Sequence, residues 1–146
     1  MKRRILLADD DMAVLLTLKT VLEMDGFEVE TAGSATEAVH KLESGVYQMV
    51  ITDMRMEHEK AGFDVIQAAR KQDYNPATAI LTAYPPENGD WSRGAQSVLV
   101  KPVGTEHLVR QLEAMLVRHE DEKQSRKVQP AASAKNSNSS ARDSRE

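Results

Sequence analysis

Residues 3–11 read RRILLADDD: two arginines, the apolar run Ile5 to Ala8, then three consecutive aspartates, Asp9, Asp10 and Asp11. A short apolar run bounded by charge at both ends suits a strand buried on both faces rather than one with a wet side. Three adjacent carboxylates repel one another, so a fold keeps them only where solvent, a helix start or a cation compensates. Which of these applies depends on what the rest of the chain brings beside them.

Downstream, Val14, Leu15, Leu18, Val21 and Leu22 recur at helical spacing, and Asp25-Gly26-Phe27 supplies a stop, which predicts a first helix. FEVETA (27–32) alternates like a short strand. SATEAVHKLESG (34–45) opens with Ser34 and Glu37 in the S-x-x-E pattern of a capping box and ends on Gly45, predicting a second helix. YQMVIT (47–52) reads as a third strand, followed by the charged loop DMRMEHEKAG (53–62) and a helix over FDVIQAARKQ (63–72). ATAILTA (77–83) is a fourth strand. The segment YPPENGDWSRGAQ (84–96), with two prolines and two glycines, leaves room only for a shortened fourth helix. SVLV (97–100) is a fifth strand, and Leu108, Leu112, Met115 and Leu116 form the apolar stripe of a last helix. This (βα)5 alternation predicts the α/β class: a doubly wound parallel five-stranded sheet with right-handed crossovers and helices on both faces. In such sheets, chemistry gathers beyond the carboxyl ends of the strands.

At 146 residues, 40% hydrophobic and 29% charged, the chain suits one globular domain, expected over 1–122. From Lys123 the composition turns polar, with no large apolar residue after Val128, so 123–146 is expected to be a disordered tail. A net charge of -4 argues against nucleic acid and anionic membranes as partners and favours proteins or cations. With no cysteine, disulfides, thiolate metal sites and cysteine nucleophiles are excluded. The apolar run at Ile5 is too short for a signal peptide or a membrane span, and a cytoplasmic location is expected.

The predicted strand ends carry Asp9 and Asp10 (first strand), Asp53 (third), Thr82 (fourth) and Lys101 (fifth), all expected to face one crevice. Three carboxylates offer the hard oxygen ligands that magnesium prefers, and a hydroxyl and an ammonium can hold the oxygens of a phosphoryl group. Taken singly, each has a plainer account. Acidic residues favour a helix's first turn, Asp is common in turns, Thr in strands, and an isolated lysine is usually solvated. Asp11 is expected to cap the first helix. The histidines, His40, His58, His107 and His119, show no convergent ligand spacing and are expected to be solvated; Met54 and Met56 are expected to fill space beside the loop.

The ordered set ILLADDD, MVITDMRM, AILTAY and LVKPV resembles the receiver domain of bacterial two-component response regulators, over roughly 3–118. The resemblance implies a flavodoxin-like sheet of strand order 2-1-3-4-5 and makes Asp53 the phosphoacceptor. Asp9 and Asp10 become the acidic pair for Mg2+ or Mn2+, Asp10 as direct ligand and Asp9 acting through water, with the backbone carbonyl of Arg55 a further ligand. Thr82 would bind a phosphoryl oxygen, and Lys101 would pair with the acidic cluster or the phosphoryl group; the bond to Pro102 is cis in the family. The implied partners are a sensor histidine kinase or phosphotransfer protein and a downstream protein.

The chain departs from the family pattern in three places. Glu57 stands where proline is usual, and Gly62 arrives one residue late. Val98 occupies the aromatic switch position. The segment before the fifth strand is short. With no helix-turn-helix after the last helix, the expectation is a stand-alone receiver in a phosphorelay, catalysing only its own phosphorylation and dephosphorylation rather than acting as an enzyme on other substrates. Two rivals are a phosphorylation-independent interaction module and a magnesium-dependent aspartyl phosphatase. The phosphatase would need Asp-x-Asp at the first strand and a late acidic pair; here the aspartate trio is contiguous and no acidic pair sits near the fourth strand.

Overall fold

The structure, a computed structural model, describes residues 2–83, 94–101 and 104–133. Its elements run β1 (Arg4–Ala8), α1 (Met12–Met24), β2 (Glu28–Ala32), α2 (Ala35–Ser44), β3 (Met49–Asp53), α3 (Ala61–Arg70), β4 (Ala77–Thr82), β5 (Ser97–Val100) and α4 (Thr105–Ser133). The five strands form one parallel sheet of order β2-β1-β3-β4-β5. The segment expected to hold a shortened fourth helix falls mainly on residues 84–93, and the Pro102 bond on 102–103; both lie outside the described residues.

RILLA occupies a central strand, which is why both of its faces are apolar. Alternate side chains of a strand point to opposite faces, so Ile5 and Leu7 pack with α1 and α4 while Leu6 and Ala8 pack with α2 and α3. The first layer is built on Leu15, Leu18 and Leu22 of α1 with Leu108, Leu112 and Met115 of α4. The second uses smaller residues, among them Ala35 and Ala38 of α2 and Ala61, Val65 and Ala69 of α3, which lets these helices lie close to the sheet. Arg3, just before the strand, and Arg4, its first residue, lie over aromatic rings, Arg3 over Phe27 at 5.0 Å and Arg4 over Tyr47 at 4.8 Å. Arg4 also pairs with Glu28 at 3.0 Å and with Glu30, closing the amino end of the sheet with charge.

The helix starts follow local chemistry. Asp11 caps α1, its Oδ1 accepting from the Ala13 and Val14 backbone N–H groups at 2.9 and 3.4 Å. Ser34 caps α2 by accepting from Glu37 N at 3.1 Å, while the Glu37 carboxylate reaches back one residue beyond the cap, to Gly33 N at 2.8 Å.

Two expectations need correction. The last helix does not stop at the composition change but runs past Lys123 to Ser133. Lys123 is tied to Glu120 at 3.6 Å and to the Tyr74 carbonyl at 3.4 Å. His119 is not solvated: it is 5% exposed, with Nε2 2.8 Å from the Asn75 carbonyl and Nδ1 2.8 Å from the Gln96 amide. Its place on the buried side of α4 gives the ring two partners at the amino ends of β4 and β5. No helix among the described residues is long and apolar enough to cross a membrane.

Candidate functional site

Parallel strands bring all their carboxyl ends to one edge, and the order β2-β1-β3 places the ends of β1 and β3 side by side. Ala8 pairs in register with Thr52, so the residues that follow, Asp9 and Asp53, come side by side at the carboxyl edge of the sheet. This is the switch point, where successive connections diverge to opposite faces and a crevice opens. On the other flank of β3, Asp53 pairs with Leu81 and Thr82 with Val100, and Lys101 is pinned by its backbone N–H donating to the Thr82 carbonyl at 2.8 Å.

The side chains converge. Lys101 Nζ lies 2.7 Å from Asp9 Oδ2 and 3.3 Å from Asp53 Oδ2, and carboxylate oxygens of Asp9, Asp10 and Asp53 all lie within 4.8 Å of one another. Asp9 is almost fully buried, its Oδ1 accepting from Asp11 N at 2.9 Å and its Oδ2 from Lys101. Asp10 is exposed at the mouth of the crevice. Asp53 is half-buried, its Oδ1 accepting from Met54 N at 2.8 Å. Thr82 is buried at the end of β4.

The charge balance is uneven: three carboxylates meet one ammonium. Burial, then the Asp9 charge, pushes the Asp53 carboxyl above its ordinary range, against the opposing pull of Lys101 and the Met54 amide. Burial alone would lower Lys101; the hydrogen bond to Asp9 and the charges of Asp53 and Asp9 outweigh it and raise the ammonium's pKa. A site of all-oxygen donors with net negative charge fits a hard divalent cation, Mg2+ or Mn2+. The structure thus brings Asp9, Asp10, Asp53 and Lys101 into one cluster, with Thr82 in the adjoining strand end. Arg55 lies two residues along the exposed loop that leaves β3.

Two features of this neighbourhood were not read from the sequence. Gly62 packs against the end of β3, donating from its N–H to the Met54 carbonyl at 2.8 Å; a Cβ there would meet the Asp53 carbonyl oxygen at 2.5 Å. The late glycine therefore still sits against Asp53, with the extra residue absorbed in the loop. Its signal was available as a displaced glycine. Glu57 leaves that loop for α2, where Oε1 accepts from Ala35 N at 2.8 Å and Oε2 from Thr36 N at 3.1 Å and the Thr36 hydroxyl at 3.3 Å. Burial pushes its carboxyl up, but those backbone and hydroxyl donors prevail and hold it below the ordinary range. No local pattern announces a contact spanning 22 positions. Met54 and Met56 do fill space as expected, Met54 against Ile66 and Ile80 and Met56 against the α2–α3 layer.

Comparison with known proteins gives the same outline. Residues 5–113 match the family described as the response regulator receiver domain. The alginate biosynthesis transcriptional regulatory protein AlgB of Pseudomonas aeruginosa is 36% identical over 131 residues, which cover 82% of this chain and 29% of that protein. The transcriptional regulatory protein CpxR homolog of Haemophilus influenzae is 34% identical, over 79% of this chain and 51% of its own. The chain therefore spans about half, or less, of the length of these relatives. Among solved structures, a CheY-like receiver domain protein from Methanospirillum hungatei superimposes with a TM-score of 0.76 at 30% identity, over 84% of this chain and 99% of that one. The response regulator protein TrrA of Thermotoga maritima, solved in complex with Mg(2+)-BeF, gives 0.70 at 31% identity, over 77% and 98%.

Proposed function

The chain belongs to the response regulator receiver domain family, and from that premise we propose that it accepts a phosphoryl group on Asp53 from a histidine kinase or phosphotransfer protein. The observation that carries the reading is the cluster in which carboxylates of Asp9, Asp10 and Asp53 lie within 4.8 Å and Lys101 reaches both Asp9 and Asp53.

Asp53 acts as the nucleophile. A carboxylate oxygen forms a bond to phosphorus as the phosphorus–nitrogen bond of the donor phosphohistidine breaks, and the electron pair of that bond leaves on the imidazole nitrogen. The product is an aspartyl phosphate. Lys101, already paired with Asp53, steadies the oxygen charge on the transferring group, and Thr82 donates its hydroxyl to a phosphoryl oxygen. Asp10 and Asp53, with the Arg55 carbonyl, would hold Mg2+ or Mn2+ directly, and Asp9 would act through water, in keeping with an Asp9 whose oxygens already accept bonds within the protein. The cation, when bound, supplies neutralisation of the phosphoryl charge. The reading also takes the protein as cytoplasmic and its downstream partner as a protein rather than nucleic acid.

The test is incubation with a small phosphodonor and Mg2+. An acid-labile adduct that Asp53→Asn abolishes is the expected result; no such adduct overturns the proposal. A second reading, an interaction module indifferent to phosphorylation, is favoured by Val98, an aliphatic residue in β5 at the position of the aromatic switch. Equal affinity of a captured partner for modified and unmodified protein would select it.

A further inference from the structure

The loop from Met54 to Lys60 starts at Asp53 and, apart from Met54 and Met56, is exposed. Its base is fixed by the Asp53–Met54 and Gly62–Met54 hydrogen bonds, and its interior by Met56 N donating to the His58 carbonyl at 3.2 Å. Its far side holds to α3 through His58, whose Nε2 lies 3.0 Å from Asp64 Oδ2. Among the described residues, the side-chain hydrogen bonds that leave this loop for any element other than α3 are those of Glu57. They end on the first N–H groups of α2, donors that no turn of the helix can satisfy. A carboxylate at that end also meets the positive pole of the helix. Where the family pattern has proline, whose ring fixes the backbone, this chain has a residue that fixes the loop by anchoring it elsewhere.

We propose that Glu57 is a positioning residue, holding the Arg55 segment of the loop in place for the cation site by clasping the α2 N-terminus, so that cation binding and order at Ala35 and Thr36 strengthen each other. The inference rests on the phosphoacceptor reading of Asp53 and on Arg55 as a carbonyl ligand. One residue, Met56, separates Arg55 from the clasp, so an anchored Glu57 leaves little of the loop to be ordered when a ligand arrives. Linkage then requires the reverse effect, with the bound cation steadying the amide donors that Glu57 accepts from.

The experiment combines Mg2+ titration by calorimetry, amide hydrogen exchange with and without Mg2+, and the phosphodonor assay, on wild type, Glu57→Ala and Glu57→Gln. In wild type, Mg2+ is expected to slow exchange at Ala35 and Thr36. Glu57→Ala is expected to lose that Mg2+ dependence and to need about fivefold more Mg2+ for half-saturation, the factor that one capping interaction typically represents. Glu57→Gln keeps one acceptor oxygen and should fall between them, which provides a test if the alanine variant folds poorly. Unchanged Mg2+ affinity in both variants, or wild-type exchange at Ala35 and Thr36 that is indifferent to Mg2+, overturns the coupling and leaves the phosphoacceptor reading standing. Wild-type protein that forms no adduct at Asp53 overturns both.

Discussion

Lys101 Nζ lies 2.7 Å from Asp9 Oδ2, across 92 positions of sequence, and this is the shortest ion pair in the acidic cluster. Removing the ammonium strands a carboxylate that is 1% exposed. Lys101→Met is expected to destabilise the fold by about 3 kcal/mol, the usual cost of breaking a buried pair from one side. Because a divalent cation can replace part of the lost charge, added Mg2+ should recover more stability in the variant than in wild type. Thermal unfolding with and without Mg2+ measures both effects.

Asp53 responds to pH in a defined direction. Its pKa in the folded chain lies above the ordinary 3.8, so between those two values the folded state holds more proton than the unfolded state. The contribution is full below 3.8 and is lost as pH rises through the raised folded value. Asp53→Asn carries no such loss. Its stability relative to wild type is expected to be near parity in acid and higher at neutral pH; a difference that runs the other way in pH-dependent denaturation would contradict the site's electrostatics.

The three consecutive aspartates should separate by role. Asp11→Ala removes the α1 cap and is expected to cost about 1 kcal/mol while leaving Mg2+ affinity unchanged. Asp10→Asn, at an exposed position, is expected to leave stability without cation nearly unchanged. Wild type at a hundredfold excess of Mg2+ over its dissociation constant should gain about 2.7 kcal/mol, and the Asp10 variant at the same concentration much less.

Gly62→Ala places a Cβ 2.5 Å from the Asp53 carbonyl oxygen and 2.8 Å from the Met54 Cα, both backbone atoms that can yield only if the end of β3 itself moves. A loss of about 2 kcal/mol in stability is expected from the overpacking. Slower adduct formation should accompany it, and Glu57 variants, which leave the strand end undisturbed, should not reproduce that stability loss in full.

His119→Ala tests the opposite edge of the sheet. The ring joins α4 to Asn75 and Gln96, which precede β4 and β5, so its loss should cost about 2 kcal/mol through unpaired polar groups. Adduct formation at Asp53 should be unchanged, since the two sites lie at opposite ends of the strands.

Periodicity and punctuation made the fold legible. RILLA, EVETA and SVLV are strands where their patterns placed them, and Ser34 and Asp11 start their helices because capping is a local interaction within three or four residues. The third helix begins at Ala61 rather than Phe63, because Gly62 must dock against Asp53 and so joins the helical turn early. The helix past Lys123 and the buried His119 were hidden for a related reason. Polar composition suggests disorder, whereas Asn75, Gln96 and Tyr74, distant in sequence, supply partners along α4.

From sequence alone, then, came the order of strands and helices and the residue types at the strand ends, since both are written in local spacing and in the rule that parallel strands share a carboxyl edge. Tertiary structure decided the rest: that Lys101 lies nearer Asp9 than Asp53, that Asp9 is buried while Asp10 faces solvent, and that Glu57 closes on α2. Those are distances between segments far apart in the chain. They depend on how two helical layers settle on the sheet, which no window of sequence contains.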